Sequence, residues 1–326
     1  MEWPTWQQAF VTAAIAVALA LVTRPGTGRR RAAARPDEAP GARRWWARVR
    51  AALHPAAREL AGVAALYGLW RIARELPLTR DEGAIERGRA IWDLQQRLHL
   101  PSELALQRVV LDHDALARFM NAYYAIVHVP ALLAFLAWLW VRHRDAYPHW
   151  RNGLVVTTAG CLVIRYVRVA PPRYLPDLGF VDLATRYGLS VYGPNGTGVS
   201  DQMAAMPSIH CGWAAVVGFG IWRLAPRGWR WIGPAHLVLT FVVVAATGNH
   251  WWLDGIVAVA ILAPTLVVDA HLRRRRAAAV AAEGAGADGA AAGEAGGPGE
   301  PAGAGAGRDA GPGPVGARTR VGVGEG

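Results

Sequence analysis

Three apolar runs stand in succession: PSIHCGWAAVVGFGIWRLA (residues 207–225), IGPAHLVLTFVVVAATGNH (232–250) and WLDGIVAVAILAPTLVVDAH (252–271). Each has about the 20 residues that an α-helix needs to cross a hydrocarbon core of about 30 Å. Inside lipid a chain must satisfy its own backbone polar groups, so runs of this length read as membrane helices. Similar runs lie upstream at 9–23, 59–77, 115–141 and 152–170. The expected fold is all-α, a polytopic integral membrane helix bundle of seven spans, or six if the first run lies peripherally.

Charge places the ends of these spans. The 326 residues carry a formal net charge of +11, and every one of the 35 basic residues is arginine. A basic total can point to nucleic acid, but here the arginines gather in short segments between apolar runs, which reports membrane orientation instead. With the N-terminus outside, the inner segments are 24–58, 142–151, 223–230 and the tail that opens Arg273-Arg274-Arg275-Arg276, all basic. The outer segments, 78–114 and 171–206, hold Asp81, Glu82, Asp112, Asp177, Asp182 and Asp201. The pattern predicts an active face outside and a C-terminus in the cytoplasm. The arginine-only, Ala/Gly-rich composition fits a GC-rich genome and a bacterial plasma membrane.

The chain divides into residues 1–58, an anchor and basic irregular linker; 59–272, a membrane core; and 273–326, a tail too poor in large apolar residues to fold. The first run has Glu2 and no basic residue before it, unlike a secretory leader. Residues 84–100 read as an amphipathic helix on the outer surface, with Ile91, Leu94 and Leu98 on one side and Pro101 as its stop. Cys161 and Cys211 have no zinc-like or disulfide-framework spacing and read as free apolar packers.

The chemistry-bearing residues sit where the spans meet the outer face. His250 and Asp254 are four residues apart, so on a helix they share a face. A carboxylate beneath an imidazole fixes one ring nitrogen and aims the other outward, as a nucleophilic histidine requires; the same pair also serves as a plain tie between helices. In Pro207-Ser208-Ile209-His210 the free N–H groups at a helix start bind anions, Ser208 adds a hydroxyl, and His210 is placed to protonate a leaving oxygen. The plainer reading is a helix cap beside an incidental histidine. Arg165, Arg168 and Arg173 can snorkel to headgroups or clamp a phosphate; for Arg173, after Pro171-Pro172, the clamp is preferred.

Arginine, Pro-Ser-x-His and His-x-x-x-Asp, in that order and each at the outer end of a span, resemble the type 2 phosphatidic acid phosphatase superfamily. Within it, they resemble the inositolphosphorylceramide-synthase-like branch. The resemblance covers residues 59–271 and implies a six-helix core, to which the first run adds an N-terminal span. It implies a metal-independent lipid phosphatase or phosphotransferase, with inositolphosphoryl transfer as one form, that acts on a phospholipid or lipid phosphate. The implied roles are His250 as nucleophile, Asp254 as its orienter, His210 as acid, and Arg173 and Ser208 on the phosphate. No cofactor is implied. Departures from the pattern are Arg165 eight residues before Arg173 with Pro-Arg order, Val243 and Val244 where Ser-Arg is usual, and Ile209 for glycine. They leave one phosphate-binding arginine unfilled, for which Arg168 is the substitute.

Three rivals remain. A metal enzyme would use His210, His250 and Asp254 as ligands, against the repulsion of nearby arginines. A serine protease based on Ser208 lacks a Gly-x-Ser-Gly-like turn. A catalytically inactive lipid-binding or scaffold protein would bind phospholipid without turnover. Asn121, Tyr123, Tyr124 and His128 line the pocket or, as the preferred reading, bond between helices. Trp251 and Trp252 stack against a substrate or, as the preferred reading, anchor the outer edge.

Overall fold

The computed structural model describes residues 4–24, 41–75, 81–188 and 202–295, so linker residues 25–40, Asp201 with the loop before it, and tail residues 296–326 lie outside the described residues. The described residues are helical, with one isolated parallel bridge between Val169 and Ala204. The chain divides into two units, Met1–Arg273 and Arg274–Gly326.

The first unit holds α1 (Trp6–Val22), α2 (Gly41–Glu75), α3 (Ala84–Arg97), α4 (Glu103–Leu111), α5 (Asp114–Ile126), α6 (His128–Arg142), α7 (Tyr147–Ile164), α8 (Leu183–Tyr187), α9 (Ile209–Leu224) and α10 (Ile232–Ala246). It also holds the first part of α11 (Trp252–Ala295). Trp252–Glu283 is long and apolar enough to cross a membrane by itself, α5 and α6 pass together as a pair bent by 51°, and α1, α9 and α10 are shorter apolar helices. Large apolar side chains lie exposed along many of these helices, among them Ile15, Leu21, Leu66, Leu69, Ile126, Leu133, Val141, Val163, Val238 and Val267. An apolar exterior that wraps several helices is what a lipid solvent requires and what water penalises.

Small residues bring these helices together, as expected where the hydrophobic effect does not drive helix association. α1 buries Ala9, Ala13, Ala16 and Ala20 and packs along α2. The helices α9 and α10 touch through Gly218 and Gly233; a Cβ on Gly233 would meet the Gly218 carbonyl oxygen at 2.3 Å. Gly153 and Gly160 of α7 give the same closeness to Ile261, Leu262 and Leu266 of α11.

Several boundaries differ from expectation. The span at 115–141 is broken at Val127 because Pro130 has no N–H to offer the Ile126 carbonyl, which removes a rung of the ladder. α7 ends at Ile164, so the apolar run to residue 170 outlasts the helix and Arg165 and Arg168 lie at and beyond its end. Residues 41–58, expected to be irregular, are helical despite Pro55, since arginine and alanine are strong helix formers. For the same reason α11 continues to Ala295, past residue 273 where an unfolded tail was expected.

Candidate active site

Three segments converge on one another through backbone bonds. The bridge segment is held by Val169 N–H to Met203 O at 2.8 Å and Ala205 N–H to Val169 O at 3.0 Å. Arg173 N–H donates to Gly248 O at 2.9 Å, and Ser208 N–H donates to Asp254 O at 3.0 Å. The Trp251 indole N–H donates to Ala170 O at 3.0 Å. The arginine, serine–histidine and histidine–aspartate segments are therefore fixed to each other before any side chain of the site is counted.

His250 lies in the turn after α10 and not on a helix, so its pairing with Asp254 has a different origin from helical stacking. Trp251 is the residue before α11, and Asp254 is the third residue of that helix. The Asp254 Oδ2 accepts the Trp251 N–H at 2.8 Å, the back-reaching half of a capping box. That cap sets Oδ2 3.3 Å from His250 Nδ1. The closer partner of Nδ1 is the Ala205 carbonyl oxygen at 2.7 Å. A carbonyl only accepts, so Nδ1 carries the proton and Nε2 keeps its lone pair. Nε2 is buried and has no hydrogen-bond partner among the described residues.

His210 is the second residue of α9, and its ring centroid lies 5.7 Å from that of His250. Ser208 caps α9, its Oγ accepting the Cys211 N–H at 3.3 Å. Its own N–H is taken by Asp254 O, so it does not point outward as expected; the hydroxyl proton is a separate resource from the capping lone pair. The Arg173 guanidinium is buried and donates from Nη1 to Asn249 Oδ1 at 2.5 Å, while Asn249 Nδ2 donates to Thr247 Oγ1 at 2.8 Å. This ties Arg173 to the residue next to His250. Gly248, at φ +68°, permits the approach, because a Cβ there would lie 3.5 Å from Arg173 Cβ and 3.0 Å from Gln107 Nε2.

Arg168 lies with its Nε 3.8 Å from Asp81, and its carbonyl accepts the Arg87 Nε–H at 2.5 Å. Arg165 caps the C-terminus of α7. The structure therefore gathers His250, Asp254, His210, Ser208 and Arg173, and directs Arg168 toward Asp81.

Other supports carry no motif. Glu103 is fully buried, and its Oε1 accepts the Trp252 N–H at 3.1 Å and the Gln95 amide at 2.7 Å. Gln95 Oε1 accepts the Leu253 N–H at 3.0 Å, so two surface helices cap the start of α11. Burial pushes the Glu103 carboxyl above its ordinary value, against the lowering effect of the bond from Trp252 N–H. Gln107 ties Val181 O and Ala246 O together at 3.0 and 3.1 Å. Trp251 is wholly buried against Trp92 and Phe180 instead of anchoring the outer edge. Outward-facing Leu94 and Leu98 show why α3 misleads: its inner face is Ala84, Gly88 and Gln95. Among the described residues, no three His, Cys, Asp or Glu side chains are grouped to hold a metal ion.

A family model described as the PAP2 superfamily matches residues 89–268, which takes in His250, Asp254, His210, Ser208 and Arg173. The chain belongs to the PAP2 superfamily. Members are phosphoric ester hydrolases that act on lipid phosphates and are typically membrane proteins. No curated protein and no solved structure matches the chain.

Proposed function

We propose that this PAP2 superfamily chain is an integral membrane phosphatase or phosphotransferase that works through a phosphohistidine on His250. The observation that carries the reading is the state of that imidazole: Nδ1–H on the Ala205 carbonyl, Nε2 unpartnered, and His210 beside it. In the first step Nε2 bonds phosphorus, the phosphorus–oxygen bond to the leaving alcohol breaks, and His210 gives its proton to that oxygen. The ring becomes a cation, which the Asp254 carboxylate stabilises. Arg173 and Ser208 hold the non-bridging oxygens, with Arg168 and Arg165 as further phosphate-binding arginines. In the second step an acceptor oxygen bonds phosphorus, the phosphorus–nitrogen bond breaks, and the acceptor's proton returns to His210.

Water as acceptor makes the protein a phosphatase; a lipid hydroxyl makes it a transferase, and in an inositolphosphorylceramide-synthase-like enzyme the group moved is inositolphosphoryl. The substrate is a phospholipid or lipid phosphate. We place the site on the outer face of a bacterial plasma membrane, with a six-helix core, an extra N-terminal span and a cytoplasmic C-terminus. Support for this comes from the arginine-rich inner segments and the apolar exterior of the helices.

The test is incubation of the purified protein with phosphatidic acid labelled in phosphorus and with phosphatidylinositol labelled in phosphorus and in the inositol, followed by product analysis. Turnover that vanishes in His250→Ala is the expected result. Unchanged turnover in that variant rejects the mechanism.

A further inference from the structure

A third imidazole lies beyond His210, and the two-step chemistry above does not use it. His128 opens α6 at the 51° break, is 5% exposed, and lies against His210 with ring centroids 4.7 Å apart and the planes tilted by 52°. Neither of its ring nitrogens has a hydrogen-bond partner among the described residues. Tyr124 completes the group, 4.6 Å from His210, 6.0 Å from His128 and 6.5 Å from His250, centroid to centroid. On its other side His128 meets the edge of Tyr123, whose hydroxyl is already engaged with His236 at 2.7 Å.

A buried imidazole that bonds nothing is costly. A core position would hold phenylalanine or leucine at no such cost. A ligand that enters beside His210 would pair a nitrogen of His128, since the two rings lie 4.7 Å apart. His210 holds the reacting oxygen of the alcohol.

We infer that His128 and Tyr124 form an alcohol subsite that takes a vicinal diol, with one hydroxyl at His210 and its neighbour at His128. The inference rests on the phosphohistidine reading of His250. In the transfer step the acceptor oxygen bonds phosphorus, the phosphorus–nitrogen bond breaks and the acceptor's proton passes to His210. His128 exchanges no proton; it only bonds the adjacent hydroxyl.

The experiment uses the purified full chain in detergent micelles and whichever of phosphatidic acid and phosphatidylinositol labels the protein. Ethanol and ethylene glycol compete as acceptors, and phosphorus NMR reads the two transfer products. One added hydrogen bond in a dry site predicts a preference for ethylene glycol of about tenfold, equivalent to about 1.4 kcal/mol. In His128→Phe the preference should fall to the statistical ratio of two hydroxyls to one. The expected melting temperature of that variant is equal to or above wild type, since an unsatisfied group is removed. A wild-type preference no greater than statistical overturns the inference without any variant, as does transfer to neither alcohol from a labelled protein. A preference that persists in His128→Phe overturns it too. If neither lipid labels the wild-type protein, it is the His250 reading that fails.

Discussion

Replacing Asp254 with asparagine separates the carboxylate's charge from its geometry. Its Oδ2 accepts the Trp251 N–H at 2.8 Å and lies 3.3 Å from His250 Nδ1. An amide oxygen can keep the first of these bonds, and the Ala205 carbonyl at 2.7 Å continues to hold the ring and its tautomer. What is lost is the stabilisation of the imidazolium that forms as Nε2 bonds phosphorus. Unit charges about 4 Å apart interact by about 4 kcal/mol at an effective dielectric of about 20, which bounds the loss from above at about a thousandfold. The difference between a charge-assisted and a neutral hydrogen bond, about 1.4 kcal/mol, bounds it from below at about tenfold. Asp254→Asn should therefore slow protein labelling by a factor between these bounds while still labelling His250, with rapid-quench measurement of phosphoprotein as the assay. A rate equal to wild type refutes the electrostatic role. Total loss of label, as in His250→Ala, refutes the assignment of ring orientation to Ala205.

Four further outcomes are expected. The raised carboxyl of Glu103 binds its proton more tightly in the native state than in the unfolded chain. Stability should therefore fall as pH rises from the usual carboxylate value, about 4.3, through the raised native one. Glu103→Gln should remove that slope in melting curves, and a wild-type-minus-variant difference constant with pH contradicts the reading. Gly248→Ala forces an L residue to φ +68° and presses on Gln107; a loss of about 2 kcal/mol is expected, with a fall in kcat as Arg173 moves. Gly233→Ala meets the Gly218 backbone oxygen, which cannot swing away, so about 1–3 kcal/mol should be lost in a detergent melt with kcat/KM of the folded fraction retained. Turnover should survive chelation of divalent cations by EDTA, and loss of activity restored by one metal ion contradicts the metal-free steps.

The helices α9, α10 and the first part of α11 were legible because long apolar runs mark them. The motif residues were legible because histidine, aspartate and arginine at span ends stand out against that background. What escaped is what periodicity cannot carry. Pro130 broke a run whose hydropathy was continuous. Gln95 and Glu103 belong to no motif, yet both are buried over the start of α11. Ala205 acts through its backbone carbonyl, which no side-chain pattern records. The i, i+4 spacing of His250 and Asp254 pointed to the right pair for a different geometric reason, since a helix cap and not a shared helical face brings them together. The Arg168 Nε also lies 3.8 Å from Asp81, a contact between distant segments that spacing does not reveal.

The central claim is a covalent bond between phosphorus and His250 Nε2. It is tested most directly by quenching the protein during turnover of phosphorus-labelled lipid under alkaline conditions and sequencing its peptides by mass spectrometry. The account predicts a base-stable, acid-labile phosphate on His250 that forms at least as fast as product appears. Product formation with His250 unmodified, or with the phosphate found on His210 or Ser208 instead, contradicts it.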